Sequence, residues 1–166
     1  MEKHENNYAF IDSNNLYLSI RQQGWKLDFR RFRNYLQDKY NVTKAFLAIG
    51  HVAQHKKLYA ALRQDGYDLI FKPTLLLPDG RVKGDVDAEL VLQALAEYNN
   101  YDKAVIVSND GDFHCLVRYL QQQNKLLRLI IPDRNNYSSL LTRFSAHIAF
   151  MNDLRGKLEY KRSKTK

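Results

Sequence analysis

Short, nearly continuous apolar runs punctuate the chain at "YAFID" (8–12), "KAFLAIG" (44–50), "YDLIFKP" (67–73), "KAVIVS" (103–108) and "LLRLIIP" (126–132). They do not alternate with polar residues, the pattern expected of strands buried on both faces of a parallel sheet. Between them the spacing turns helical. "DFRRFRNYLQDKY" (28–40) opens on Asp28 as an N-cap and sets Phe29, Phe32, Leu36 and Tyr40 on one stripe. "HKKLYAALRQDG" (55–66) ends at Gly66, suited to the left-handed position that closes a helix. "DAELVLQALAEY" (87–98) and "DFHCLVRYLQQQNK" (112–125) complete the set. This alternation predicts a three-layer α/β fold with a central, mostly parallel sheet and right-handed crossovers.

In such sheets ligands bind beyond the carboxyl ends of the strands. The first run ends in Asp12-Ser13-Asn14-Asn15, the fourth in Ser108-Asn109-Asp110-Gly111-Asp112, and the fifth in Pro132-Asp133-Arg134-Asn135-Asn136. The third enters "PTLLLPDGRVKGD" (73–85), where Pro-Asp-Gly predicts a tight turn or small hairpin. In the helix that follows, Asp87 shares a stripe with Leu90, Val91, Ala94 and Leu95 and is expected to point over the sheet edge. Asp85 and Glu89 fall on another face, expected to meet solvent. Asp112 heads a stripe through Cys115, Leu116, Tyr119 and Leu120. Asp12, Asp110 and Asp112 each read alone as a helix N-cap. Four converging on one edge exceed what capping needs. Their repulsion and desolvation are relieved by a hard divalent cation with oxygen ligands, Mg²⁺ or Mn²⁺.

At 166 residues, 45% hydrophobic and 27% charged, the composition is that of a folded domain rather than a disordered or membrane-spanning chain. Residues 1–154 are expected to form one domain and 155–166 a basic tail. No stretch has the form of a signal peptide, and Cys115 is the sole cysteine, so no internal disulfide exists and a cytoplasmic, reducing location is expected. The net charge is +8, and "RGKLEYKRSKTK" (155–166) holds six basic residues against one acid. That tail lacks apolar periodicity and is expected to fray, either as a phosphate-binding arm or as a solubilising end. The balance favours an anionic partner.

"FIDSNNLY" (10–17), "KGDVDAELVLQAL" (83–95) and "VSNDGDFHCLVRYL" (107–120) resemble, in order, the three motifs of the NYN domain family, LabA-like members of the PIN-like nuclease superfamily. The resemblance runs over roughly residues 8–150. It implies a Rossmann-like α/β/α sandwich with an acidic pocket at the carboxyl edge of the sheet, and metal-dependent hydrolysis of RNA. By motif, Asp12, Asp87, Asp110 and Asp112 match the family's acids, which would hold one or two Mg²⁺ or Mn²⁺ ions. Asn14 and Ser108 match the Asn of the first motif and the Ser of the third, and with Asp85 would orient ligands or waters. Asn109 stands where the family usually has Gly.

Lys83, Arg134 and Ser138 flank the acidic segments and are candidate phosphate contacts on RNA, expected to be single-stranded or to carry unpaired segments. His51 and His55 lie one helical turn apart without a third ligand, so a solvated face is the simpler account. Tyr17, Trp25 and Tyr137 are candidates for stacking on bases or for packing. "TLLL" (74–77) reads as loop core or as a homodimer surface. Three other functions compete with nuclease action. One is an RNA-binding module whose acids are structural, another a partner-regulatory domain. The last is a haloacid-dehalogenase-like phosphatase, disfavoured because Asn14 stands where it needs an Asp.

Overall fold

All five apolar runs become strands of one sheet. The computed structural model describes residues 4–163 apart from 52, 74 and 84–85. In chain order the strands are β1 (Asn7–Asp12), β2 (Val42–His51), β3 (Tyr67–Pro73), β4 (Leu75–Leu76), β5 (Val82–Lys83), β6 (Ala104–Val107), β7 (Leu126–Ile131) and β8 (Ile148–Phe150). Six of them form a sheet in the order β3-β2-β1-β6-β7-β8, with every pairing parallel. β4 and β5 form a separate antiparallel hairpin around the Pro-Asp-Gly turn, where Gly80 takes φ +83°.

The helices are α1 (Ser13–Gln22), α2 (Phe29–Tyr40), α3 (Lys56–Gln64), α4 (Asp87–Ala96), α5 (His114–Gln122) and α6 (Arg155–Leu158). Asp28 caps α2 by accepting from the Arg31 N–H at 3.1 Å, and Gly66 follows α3 with φ +103°. Three elements lie outside the sequence expectation: α1, β8 and α6. α1 buries only Leu16 and Ile20 among apolar residues, with Ser13 and Ser19 beside them, so its hydrophobic period is faint. β8 is three residues long and follows a run of 3₁₀ turns, Ser139–His147.

The pleat divides the core. Tyr8 and Phe10 of β1 face one side with Phe46, Leu90, Leu116 and Leu120, while Ala9 and Ile11 face the other with Leu16, Phe32, Leu36 and Leu62. Helices therefore cover both faces of the sheet, as a sheet buried on both sides requires. The core stripe of α5 starts at Phe113 and runs through Leu116, Val117 and Leu120; Cys115 and Tyr119 are exposed. This shifts the expected stripe by one residue and turns Asp112 outward. On α4, Leu90 and Ala94 are buried and Leu95 is 44% exposed. Glu89, expected in solvent, instead lies 3.9 Å from Lys72 of β3.

Residues 155–160 correct the expectation of a frayed tail. Leu158 is buried, the Asp28 N–H donates to the Leu158 carbonyl at 2.8 Å, and the Tyr160 N–H donates to the Lys26 carbonyl at 2.8 Å. Leu27 and Glu159 pair across this antiparallel bridge.

Buried tyrosines give the fold an alkaline limit. Tyr67 donates to the Phe29 carbonyl at 2.5 Å and Tyr101 to the Ala94 carbonyl at 2.9 Å. Burial pushes both phenols well above their ordinary value, and pushes Tyr35 up to about 12. Unfolded tyrosine ionises near pH ~10 whereas these groups keep their protons when folded, so the folded state binds more protons and stability falls as pH rises. The loss above pH ~10 should approach about 1.4 kcal/mol per pH unit for each such group. Urea midpoints measured from pH 8 to 11 should be flat and then drop; a flat profile to pH 11 contradicts this.

Candidate active site

The strand order reverses between β1 and β6. The chain lays β2 and β3 on one side of β1, then returns to place β6 on the other. At such a switch point the connections leaving adjacent strands diverge and open a crevice at the carboxyl edge. β1 ends at Asp12, and Asp110 lies three residues beyond the end of β6. Asp87 is the first residue of α4. One carboxylate oxygen from each of Asp12, Asp87 and Asp110 lies within 4.8 Å of the others.

The sequence arranges this locally through helix starts. Asp12 caps α1, its Oδ1 accepting from the Asn15 N–H at 3.2 Å. Asp110 caps the 3₁₀ turn Gly111–Phe113 that leads into α5, its Oδ1 accepting from the Asp112 N–H at 2.9 Å. Ser108 joins the two. Its hydroxyl donates to Asp12 Oδ2 at 3.4 Å and accepts from the Asp110 N–H at 3.1 Å, and the residue is 1% exposed. Two of the acids thus fulfil the capping expectation and also converge. The positive end of each helix offsets part of their mutual repulsion, and caps alone do not require three carboxylates to share one point.

The other expected residues fall into different groups. Asp112 is exposed and lies outside the three-carboxylate cluster. Asn14 is exposed and lines the cleft. Asp85 and the Lys83 side chain lie outside the described residues, as does the His51 side chain. Arg134 pairs with Asp153 at 2.6 Å and rests over the Phe150 ring. Ser138 caps the following 3₁₀ run through the Leu140 N–H at 3.2 Å. Trp25 is 4% exposed and Tyr137 packs on Phe150, so both are packing residues, whereas Tyr17 is 46% exposed and lines the cleft. Leu75 of the "TLLL" segment is 66% exposed, while Thr74 lies outside the described residues.

The turn carrying Asp110 is held from three directions. Asn109 and Asn15 pair through both amides: the Asn15 amide donates to Asn109 Oδ1, and the Asn109 N–H donates to Asn15 Oδ1 at 3.0 Å. The Asn109 Nδ2 also reaches Ser19 Oγ at 3.0 Å and the Asn136 carbonyl at 2.9 Å. A glycine here would keep only the backbone N–H bond to Asn15 Oδ1 and lose the other three. Gly111 then passes so close to Ser138 that an added Cβ would meet Ser138 Oγ at 2.2 Å and Ser138 Cβ at 2.8 Å. Gly111→Ala should therefore cost about 1–3 kcal/mol through overpacking. Adding Ser138→Gly should recover part of it, giving a coupling of about 1 kcal/mol in a double-mutant cycle read by urea denaturation. Additive losses would contradict the contact.

The three carboxylates line a cleft of about 850 Å³. Its walls include Tyr17, Leu18, Ile49 and Leu58, and Lys26 and His55 also line it. Spacing in the sequence gave no sign of Lys26 or Leu58, because α1, α3 and the segment before α2 meet only in the fold. The donor set itself, three hard anionic oxygens able to converge, suits Mg²⁺ or Mn²⁺ and not a soft or nitrogen-preferring metal.

The arrangement has known relatives. A structure of a protein of unknown function from Vibrio parahaemolyticus superposes with a TM-score of 0.77 at 22% identity, covering 96% of this chain and 99% of that one. The low amplitude and bright protein LabA of Synechococcus elongatus is 22% identical over 170 residues, covering 90% of this chain and 86% of that protein. No described helix is long and apolar enough to cross a membrane. The NYN domain family matches residues 8–151, from β1 past the end of β8 and through all three acids, and the chain belongs to that family.

Proposed function

We propose that the protein is a metal-dependent ribonuclease that hydrolyses RNA phosphodiester bonds at Asp12, Asp87 and Asp110. The carrying observation is the convergence of three carboxylates within 4.8 Å at the switch point of the sheet, open to a cleft. The NYN family's nuclease fold supports the same reading.

Asp12, Asp87 and Asp110 would hold the ion. Bound there, Mg²⁺ or Mn²⁺ would lower the pKa of a coordinated water and neutralise charge on the phosphate. The protein's own contribution is positioning. Asn15 N–H and Ser108 hydroxyl fix the Asp12 carboxylate, while Asp112 N–H fixes Asp110 through Oδ1. We assign Asp110 Oδ2 as the atom that takes the proton from attacking water. The water oxygen bonds to phosphorus, the bond to the leaving sugar oxygen breaks, and that oxygen takes a proton from solvent. Asn14, on the cleft wall, would orient water or substrate.

Removal of metal tests this. Labelled single-stranded RNA should be cut in Mg²⁺ or Mn²⁺, and EDTA should stop cleavage. Cleavage that survives EDTA contradicts the reading. The capping bonds of Asp12 and Asp110 favour a second reading, in which the acids are structural and the domain only binds RNA. It predicts salt-sensitive binding without turnover in any metal.

A further inference from the structure

We infer that the basic C-terminal segment is a phosphate clamp fixed beside Lys26 of the cleft lining, and that the cleft receives a single-stranded RNA with an unpaired nucleotide against its apolar lining. This rests on the reading of the cleft as an RNA site.

Three observations carry it. First, the segment is placed rather than loose. Leu158 is 1% exposed, and the bridge between 158–160 and 26–28 fixes the backbone through the 2.8 Å bonds from Asp28 N–H and Tyr160 N–H. The Arg31 guanidinium adds a bond to the Lys157 carbonyl at 3.4 Å. Second, the strand it pairs with is part of the cleft. Lys26 and Leu27 line the same cavity as Asp12, Asp87 and Asp110. Lys26 Nζ lies 4.6 Å from the centre of the Tyr160 ring, so the last paired residue of the tail stands against a residue of the cleft lining. Lys161 and Arg162 follow it, both exposed.

Third, the cleft lining is chemically mixed. It includes three carboxylates, which repel phosphate in the absence of metal. It also offers Tyr17, 46% exposed, with Leu18, Ile49 and Leu58, surfaces suited to a base and ribose and not to phosphate. Lys26 adds a cation to the same lining, against the docked tail. A chain that alternates anionic phosphates with aromatic bases matches that mixture. A duplex keeps its bases stacked inside and offers none to the apolar lining. An acidic peptide would match Lys26 and the tail but leave the apolar lining without a partner.

The test reads binding in EDTA, separately from cleavage. Anisotropy of a labelled single-stranded RNA is followed from 50 to 300 mM salt for wild type, for Lys161→Gln/Arg162→Gln, and for a control, Lys44→Gln/Lys103→Gln. The control residues sit at the amino ends of β2 and β6, the opposite edge of the sheet. Each lost phosphate contact flattens the slope of log K against log salt by about 0.7, so the tail variant should lose about 1.4 and bind roughly 10–30-fold more weakly at 0.1 M salt. The control should lose less than half of that. Equal losses in the two variants would mean a net-charge effect alone and overturn the inference, as would wild-type binding without salt dependence. Tail-dependent binding by a wild type that cuts nothing in Mn²⁺ would uphold the clamp and reject the nuclease. Cleavage without tail-dependent binding would do the reverse.

Discussion

Asp110→Asn is expected to lower metal-dependent RNA cleavage by about 10²–10⁴-fold, the range set by the several kcal/mol a bound divalent ion contributes to phosphoryl-group charge stabilisation. The variant keeps the shape of the turn, because an amide oxygen can still accept from the Asp112 N–H that now bonds Asp110 Oδ1 at 2.9 Å. What it removes is one of the three negative charges within 4.8 Å. The metal-free protein should therefore be as stable as wild type or more so, since carboxylate repulsion is relieved. Asp112→Asn is the internal comparison. Its side chain is exposed and outside the cluster, so cleavage should change by less than about tenfold, or 1.4 kcal/mol. Initial rates in Mn²⁺ and thermal melts in EDTA check both. Equal losses in the two variants would return Asp112 to the site, and a large drop in stability for Asp110→Asn would favour a capping role.

Arg33→Ala should cost about 2–4 kcal/mol of folding stability, the largest effect expected away from the cleft. Arg33 is 8% exposed and its guanidinium donates to three carbonyls: Gly66 at 3.1 Å, Val42 at 3.2 Å and Thr43 at 3.1 Å. It ties α2 to the entry of β2 and to the turn before β3. Burial pulls its pKa below the ordinary arginine value, while Tyr67 and Asp68 pull it back up. Alanine leaves these acceptors without their partner and removes the stem that packs against Gly66. Arg33→Lys should recover only part of the loss, because a single ammonium cannot reproduce the planar fork. Urea denaturation of the three proteins checks this; a cost under about 1 kcal/mol for alanine would show that water replaces the guanidinium without penalty.

Much of this was legible in the sequence because buried parallel strands leave uninterrupted apolar runs, and all five such runs became strands. The rule that ligands gather at carboxyl ends then singled out Asp12 and Asp110, and helical spacing singled out Asp87. Where the sequence reading went astray, the signals were weak or displaced. The spacing of Cys115 and Tyr119 suggests a stripe headed by Asp112, whereas the buried stripe begins at Phe113 and leaves the Asp112 side chain exposed. α1 was missed because two of its four buried positions are serines. The docking of the C-terminal segment hangs on one buried apolar side chain, Leu158, too little to register as periodicity. Asn109 stands where the family usually has glycine, yet its side-chain amide holds the turn to Asn15, Ser19 and Asn136. Those partners lie 94, 90 and 27 residues from Asn109 along the chain, and the fold brings them together.

The central claim, that Asp12, Asp87 and Asp110 hold the ion that serves cleavage, is tested most directly by anomalous diffraction from crystals soaked in Mn²⁺ at a concentration that supports RNA cleavage. The account predicts a manganese peak among these three carboxylates in the wild type and a lost or weakened one in Asp110→Asn crystals. A wild-type protein that cleaves RNA in the same Mn²⁺ yet shows no peak there, or shows it elsewhere, would contradict it.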